Sequence, residues 1–240
     1  MEFTPAFHSE WIKIRTLRSQ IAALAMIPVA TVLFSALAAS DTGGDDFDPL
    51  FAVFFGVAFG QIAAIAFGTT AVSSEYQGGA LRLSLAAVPH RGRWFAAKAA
   101  AIAVPVFAVG LVTGVLTLVV GKAVLGTEAD GLGAGAQVRG VVGCAVYLTL
   151  MALLAAGLTA VLRGGVATLS ILIPFLLIVS FVVGDASSDI ADLLPDRAGQ
   201  VALHETWDGS MGPWTGLAVT ALWAMAALAA GAWSVRRRDA

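Results

Sequence analysis

The sequence predicts an all-α, polytopic membrane protein with six transmembrane helices, and three observations carry that prediction. The first is composition: of 240 residues, 58% are hydrophobic and 12% charged, with a mean hydropathy of +0.86. Soluble domains carry about 25% charged residues, and a water-soluble chain of this length could not bury so much apolar surface. An ordinary soluble enzyme and a disordered chain are therefore excluded. With a net charge of −2 the chain is not basic, which excludes a free-standing nucleic-acid binder. The second observation is that six stretches hold no Asp, Glu, Lys or Arg: 19–40, 49–74, 99–121, 140–162, 164–184 and 209–235. Each reaches the roughly 20 residues a helix needs to cross a ~30 Å hydrocarbon core. Spanning segments must satisfy their own backbone, so helices are the default; the short alternating strands of a β-barrel are absent. The third is charge sidedness. With an even number of spans both termini share one side, and that side holds 11 of the 14 basic residues but only 4 of the 16 acidic ones. The positive-inside rule places the termini in the cytoplasm. The whole chain reads as one transmembrane domain, with spans near 20–40, 51–73, 99–121, 141–162, 166–184 and 214–235.

The first element is a leader. Residues 4–18 form a helix expected to lie at the membrane surface, with Thr4 as cap and Pro5 at the first helical position. Phe7, Trp11 and Ile14 share a face, Glu10 falls at its edge, and Lys13 and Arg15 suit lipid headgroups. Ala36-Leu37-Ala38 mimics a signal-cleavage site, but the apolar stretch is too long and the polar leader too extended for a signal peptide. Span one leads to the acidic loop Asp41–Asp48, which lacks the ligand spacing of an EF-hand.

Span two carries Gly56, Gly60, Ala64 and Gly68 at four-residue intervals, and span three repeats the pattern at Gly110 and Gly114. Small residues at this spacing let helices approach closely. Packing within the chain is the favoured use, dimer contact the alternative. Gln61, near mid-span, is expected to hydrogen-bond a neighbouring helix.

Between spans two and three, residues 73–98 are too long for a minimal connection. Gly78-Gly79 permits a bend. Leu81, Leu85 and Val88 then share a helical face, and Pro89 stops the helix. A short cytoplasmic helix over 75–89 with an apolar ridge suits the groove of a partner, with rest on lipid as the alternative. Arg91, Arg93, Trp94 and Lys98 fit the headgroup layer.

The external loop 122–139 is glycine-rich. Its Gly131–Ala136 run matches a dinucleotide fingerprint only by letters, without the βαβ unit behind that chemistry, and Gly121-Lys122-Ala123 fails as a phosphate loop. Span four holds the single cysteine, Cys144, expected to be a small buried residue. Arg163-Gly164-Gly165 makes a tight inner turn, and Pro174 is a candidate kink in span five. In the long external connection 185–213, Ile190, Leu193 and Leu194 precede Pro195, while Val201 and Leu203 follow Gly199; short helices at the outer surface are expected. His204, Glu205 and Asp208 lack a second His and are expected to be solvated, with no metal bound. Trp11, Trp94, Trp214 and Trp233 fall near the predicted interfaces.

All three His lie outside the charge-free stretches, which therefore hold no ionisable group able to relay protons. No protease constellation, phosphate loop or cofactor motif is present. The chain is thus expected to be no enzyme and to need no cofactor. If it moves a substrate uphill, the energy enters from another polypeptide.

Several segments together are similar to those of ABC-2 type transporter permeases. Ser9–Arg18 resembles the leader of that family. Glu75-Tyr76-Gln77-Gly78-Gly79-Ala80-Leu81-Arg82, with Pro89-His90-Arg91 and Ala97-Lys98, resembles its loop between spans two and three. Leu193-Leu194-Pro195 with Gly199 resembles its external segment before the last span. Ala80 stands where many relatives have Thr, and His90 where they have Arg. The resemblance implies an export permease half that pairs with a second, identical or different, half and binds a cytoplasmic ATPase subunit. Carried over by position, Glu75, Gly78, Gly79, Leu81, Arg82, Pro89 and Arg91 belong to the coupling segment; Leu85 joins them through the apolar ridge. The family exports drugs, peptide antibiotics, lipids or polysaccharides, and neutral spans suit an amphiphilic cargo. A secondary transporter or channel, and a non-transporting assembly or sensor protein, are the alternatives.

Overall fold

A computed structural model describes residues 3–40, 47–78, 80–81, 84, 90–179, 192–206 and 211–237. The described residues are helical, with no strand among them. In chain order the helices are α1 (Phe3–Thr16), α2 (Arg18–Ala39), α3 (Pro49–Phe54), α4 (Val57–Ser73), α5 (Arg91–Leu125), α6 (Ala134–Leu162), α7 (Gly165–Pro174), α8 (Pro195–Gln200) and α9 (Pro213–Arg237). Single 3-10 turns follow α4, α5 and α8, at Ser74–Tyr76, Gly126–Ala129 and Val201–Leu203.

Among the described residues five stretches are long and apolar enough to cross a membrane: α2, the α3–α4 unit, α5, α6 and α9. The apolar helix of the fifth predicted span is shorter, at Gly165–Ile178, which at 1.5 Å per residue gives about 21 Å. Residues 180–184 of that span lie outside the described residues. Pro174 ends the regular α-helix there, and one π turn, Phe175–Val179, follows. A proline lacks the N–H that would continue the α-helical ladder, so the change of pitch falls where the sequence places it.

Helix α6 is the hub, packing against α4, α5 and α9. Its alanines, glycines and threonines keep its surface shallow, so neighbouring backbones come close. The glycines of the four-residue pattern meet other helices of the same chain. A methyl at Gly56 would strike Thr31 and Ser35 of α2, one at Gly60 would strike Thr31, and one at Gly68 would strike the Ala152 backbone of α6. Gly110 and Gly114 of α5 lie against Ala145 and Val141 of α6. At the break between α3 and α4, the Ser35 hydroxyl accepts the Gly56 N–H at 2.9 Å. Hydroxyls within the spans bond back to their own helix; Thr31, Thr113, Thr149 and Thr159 each donate to the carbonyl four residues earlier at 2.7 Å. Helix α2 buries a narrow stripe, Ile27, Thr31 and Ser35, and leaves Met26, Val29, Leu33 and Leu37 exposed. Such a face suits hydrocarbon.

Several boundaries differ from the sequence-based expectation. Helix α5 starts at Arg91 and runs to Leu125, and α6 starts at Ala134, so the glycine-rich connection shrinks to 126–133. Charge ends a membrane core but not a helix, which extends past it into the polar layer. Cys144 is buried and unbridged.

Backbone contact at Gly68 generates a stability test. Gly68→Ala is expected to lower the thermal midpoint in detergent, at a cost of the overpacking kind, about 1–3 kcal/mol. Gly131→Ala, where an added methyl meets nothing within 4 Å, is expected to leave it unchanged. Equal melting of the two variants would refute the contact.

Candidate functional site at the basic end

The end of the bundle where α1 meets the start of α5 gathers the described charges of three separate segments. Glu10 of α1, Glu75 of the 3-10 turn after α4, and Lys98 of α5 are only 2–3% exposed. Lys13 of α1 joins them from a half-exposed position. The four form a closed, neutral set. Lys13 Nζ donates to Glu10 Oε1 at 2.9 Å and to Glu75 Oε1 at 2.7 Å. Lys98 Nζ donates to Glu75 Oε1 at 2.7 Å and also to Glu10 Oε2. The Ser84 hydroxyl donates to the other Glu75 oxygen at 2.9 Å. The Lys98 ammonium lies 5.8 Å from the centre of the buried Trp94 ring.

The local sequence explains how α1 reaches this set. Ala6, Glu10 and Ile14 are its buried residues, four apart on one helical face. This corrects the expected amphipathic stripe: Glu10 lies at the centre of the buried face, not at its edge. Phe7 and Trp11 stack on each other beside it, with ring centres 6.2 Å apart. Lys13 turns inward rather than toward headgroups, while Arg15 remains exposed. Burial opposes the charged form of Lys13, but the bonds to Glu75 and Glu10 outweigh it and hold the pKa above the ordinary 10.5. Trp94 and Lys98 are likewise buried within the chain. Trp214 and Trp233 do sit exposed near the helix ends.

Leu81, expected on a ridge facing a partner, is 6% exposed and belongs to the core of this chain. Gly78 has a positive φ of 61°, the bend the sequence suggests. Gly79, Arg82, Leu85, Val88 and Pro89 lie outside the described residues. Arg91 starts α5, and its Nη1 donates to the Val235 carbonyl of α9 at 3.0 Å. It thereby joins the start of one spanning helix to the end of another. Tyr76 donates to the Ala160 carbonyl at 3.3 Å, and Arg163, at φ 56°, sits over its ring.

A second polar group lies deeper. The Tyr147 hydroxyl donates to Gln61 Oε1 and accepts from Gln200 Nε2 at 3.2 Å, linking α4, α6 and α8. The expected partner of Gln61 is thus on another helix. The region around α8 is not a surface ornament: Pro195, Ala198, Gly199, Ala202 and Leu203 are buried, and Thr220 of α9 donates to the Pro195 carbonyl at 2.8 Å. Ile190 lies outside the described residues.

At the opposite end Asp48 ties two elements together. It accepts the Phe51 N–H at 3.0 Å, capping α3. It also takes the Glu205 N–H at 2.9 Å and contacts His204 Nδ1 at 3.2 Å. Arg139 donates to the His204 carbonyl at 2.6 Å. Burial would raise the Asp48 pKa, but the His204 and backbone hydrogen bonds dominate and lower it below the ordinary 3.8. His204 and Glu205 therefore have a structural use; Asp208 lies outside the described residues, and no metal-ligand cluster occurs among those described.

The chain matches no family model and no curated protein. The ion set itself was not legible beforehand. Its members are separated by up to 88 residues, and the available hint was that Glu75 directly follows a charge-free stretch while Lys98 directly precedes one.

Two tests follow from these geometries. Removing one partner of a buried ion set leaves an uncompensated charge, at about 3–5 kcal/mol. Lys98→Met is accordingly expected to destabilise the protein strongly in denaturant titration, and Lys13→Met, at a half-exposed site, distinctly less. Equal losses would contradict the geometry. For Asp48, a lowered folded pKa means stabilisation present above the unfolded value, about 3.9, and lost as pH falls through the folded value. The melting difference between wild type and Asp48→Asn is expected to shrink as the pH falls below about 3.9; a difference that persists undiminished there would discount the carboxylate.

Proposed function

We propose that this chain is the membrane permease subunit of an ATP-driven ABC transporter of the ABC-2 type, exporting an amphiphilic substrate. In this reading it crosses the inner membrane six times with both termini in the cytoplasm. It pairs with a second permease half and takes its energy from a separate ATPase subunit. The observation that carries the proposal is the largely buried ion set at the basic end. It fastens α1, the segment after α4 and the foot of α5 into one unit, on the side where a cytoplasmic ATPase would dock. A push delivered at Glu75 would reach the turn after α4 and helix α5 at once, since Glu75 is bonded to Lys98. The absence of Asp, Glu, Lys and Arg from the predicted spans supports the same reading, since no proton path offers itself as an alternative drive.

Within this scheme Glu75, Gly78 and Gly79, Leu81, Arg82, Leu85, Pro89 and Arg91 do different jobs. Glu75 and Leu81 hold the segment to the bundle, Gly78 bends it, and Arg91 ties α5 to α9. Leu85 is left as the candidate contact with the ATPase. Purification in mild detergent is expected to retain a polypeptide bearing a nucleotide phosphate loop. Export of amphiphilic dyes from vesicles is expected to require ATP. Leu85→Asp is expected to abolish ATPase retention while the permease remains folded, whereas Leu81→Asp is expected to unfold it. Flux that persists without ATP would favour a secondary transporter or channel; partners without flux would favour an assembly or sensor protein.

A further inference from the structure

We propose that the cavity where the start of α5 meets the end of α9 binds the phosphate headgroup of an anionic lipid. The proposal stands apart from the transport reading and uses none of the ion set. The cavity has a volume of about 420 Å³ and is lined by His90, Arg91, Gly92, Arg93, Ala96 and Arg236. Three arginines thus line it, and no carboxylate is among its described lining residues.

Three features make it a formed site. Arg91 is fixed by donation to the Val235 and Arg236 carbonyls, at 3.0 and 3.5 Å, which locks the two helix ends together. Gly92 lets the Arg236 guanidinium lie against the first turn of α5; a methyl there would meet the guanidinium carbon at 3.2 Å. The level of the cavity relative to the bilayer is marked by Trp233, exposed one turn before Arg236, with the Arg237 guanidinium 4.8 Å from its ring centre. An exposed Trp with cations just beyond it is the arrangement of the headgroup layer. Planar guanidinium groups match phosphate oxygens in forked pairs, and a lipid phosphate is the anion present at that depth at high local concentration.

The test uses the full chain in mild detergent, with native mass spectrometry of bound phosphatidylglycerol against phosphatidylcholine. Wild type is expected to prefer phosphatidylglycerol by about tenfold or more. Arg93→Gln/Arg236→Gln is expected to lose that preference, and Arg197→Gln at the opposite end to keep it. Should the double variant aggregate, Arg236→Gln alone, at the exposed end of the last helix, carries the same expectation. Equal binding of both lipids by wild type, or an undiminished preference in the variants, would overturn the proposal. Displacement by equimolar inorganic phosphate would assign the site to free phosphate and overturn the lipid assignment.

Discussion

Two carboxylates and one ammonium withdrawn from water, with a second, partly exposed ammonium beside them, can be held only as a complete set, and the basic end of this bundle is organised around that constraint. A single charge buried there would cost several kcal/mol. In the closed set each carboxylate accepts from both lysines, and Ser84 occupies the remaining Glu75 oxygen. Completeness forces the positions of the elements that supply the members. Helix α1 cannot drift on a membrane surface while Glu10 and Lys13 are committed. The turn after α4 cannot separate from α5 while Glu75 is shared between Lys13 and Lys98. The same commitment draws Trp94 and Leu81 inside, because the segments that carry them are held against the bundle.

Above the ion set the bundle obeys a different rule. In hydrocarbon there is no gain from burying one apolar side chain against another rather than against lipid, so helices associate through close packing and internal hydrogen bonds. Gly56, Gly60 and Gly68 supply close approach on two sides of one helix, toward α2 and toward α6. The Gln61–Tyr147–Gln200 chain supplies a hydrogen-bonded tie at a depth where an unpaired amide would be costly. The two devices concentrate burial on α4 and α6 and leave α2 with a largely exposed apolar face.

What the sequence made legible follows from range. Helical identity, the glycine pattern and the bend at Gly78 are local properties, and composition or spacing over a few residues announces them. The start of α5 at Arg91 was missed because absence of charge marks where lipid begins, not where a helix begins. Trp94 and Lys98 show a related limit: residue type suggests side chains open to the interface, and partners within the chain bury both instead. Glu10 shows the converse. An acidic residue on an apolar stripe looked like an imperfection, yet its spacing from Ala6 and Ile14 was the signature of a buried pair whose other half lies 88 residues away. Pairings across that distance leave no periodic trace in one sequence.

The two ends of the molecule are tied by unequal means. At the basic end the ties are mutual and neutral as a group, so that withdrawing Glu10, Glu75 or Lys98 leaves an uncompensated buried charge, while Lys13 keeps access to water. At the opposite end Asp48, 16% exposed, gathers the Glu205 N–H, His204 and the Phe51 N–H. Its partners there are two backbone N–H groups and an imidazole, so losing one of them strands a hydrogen-bond donor rather than a buried counter-charge.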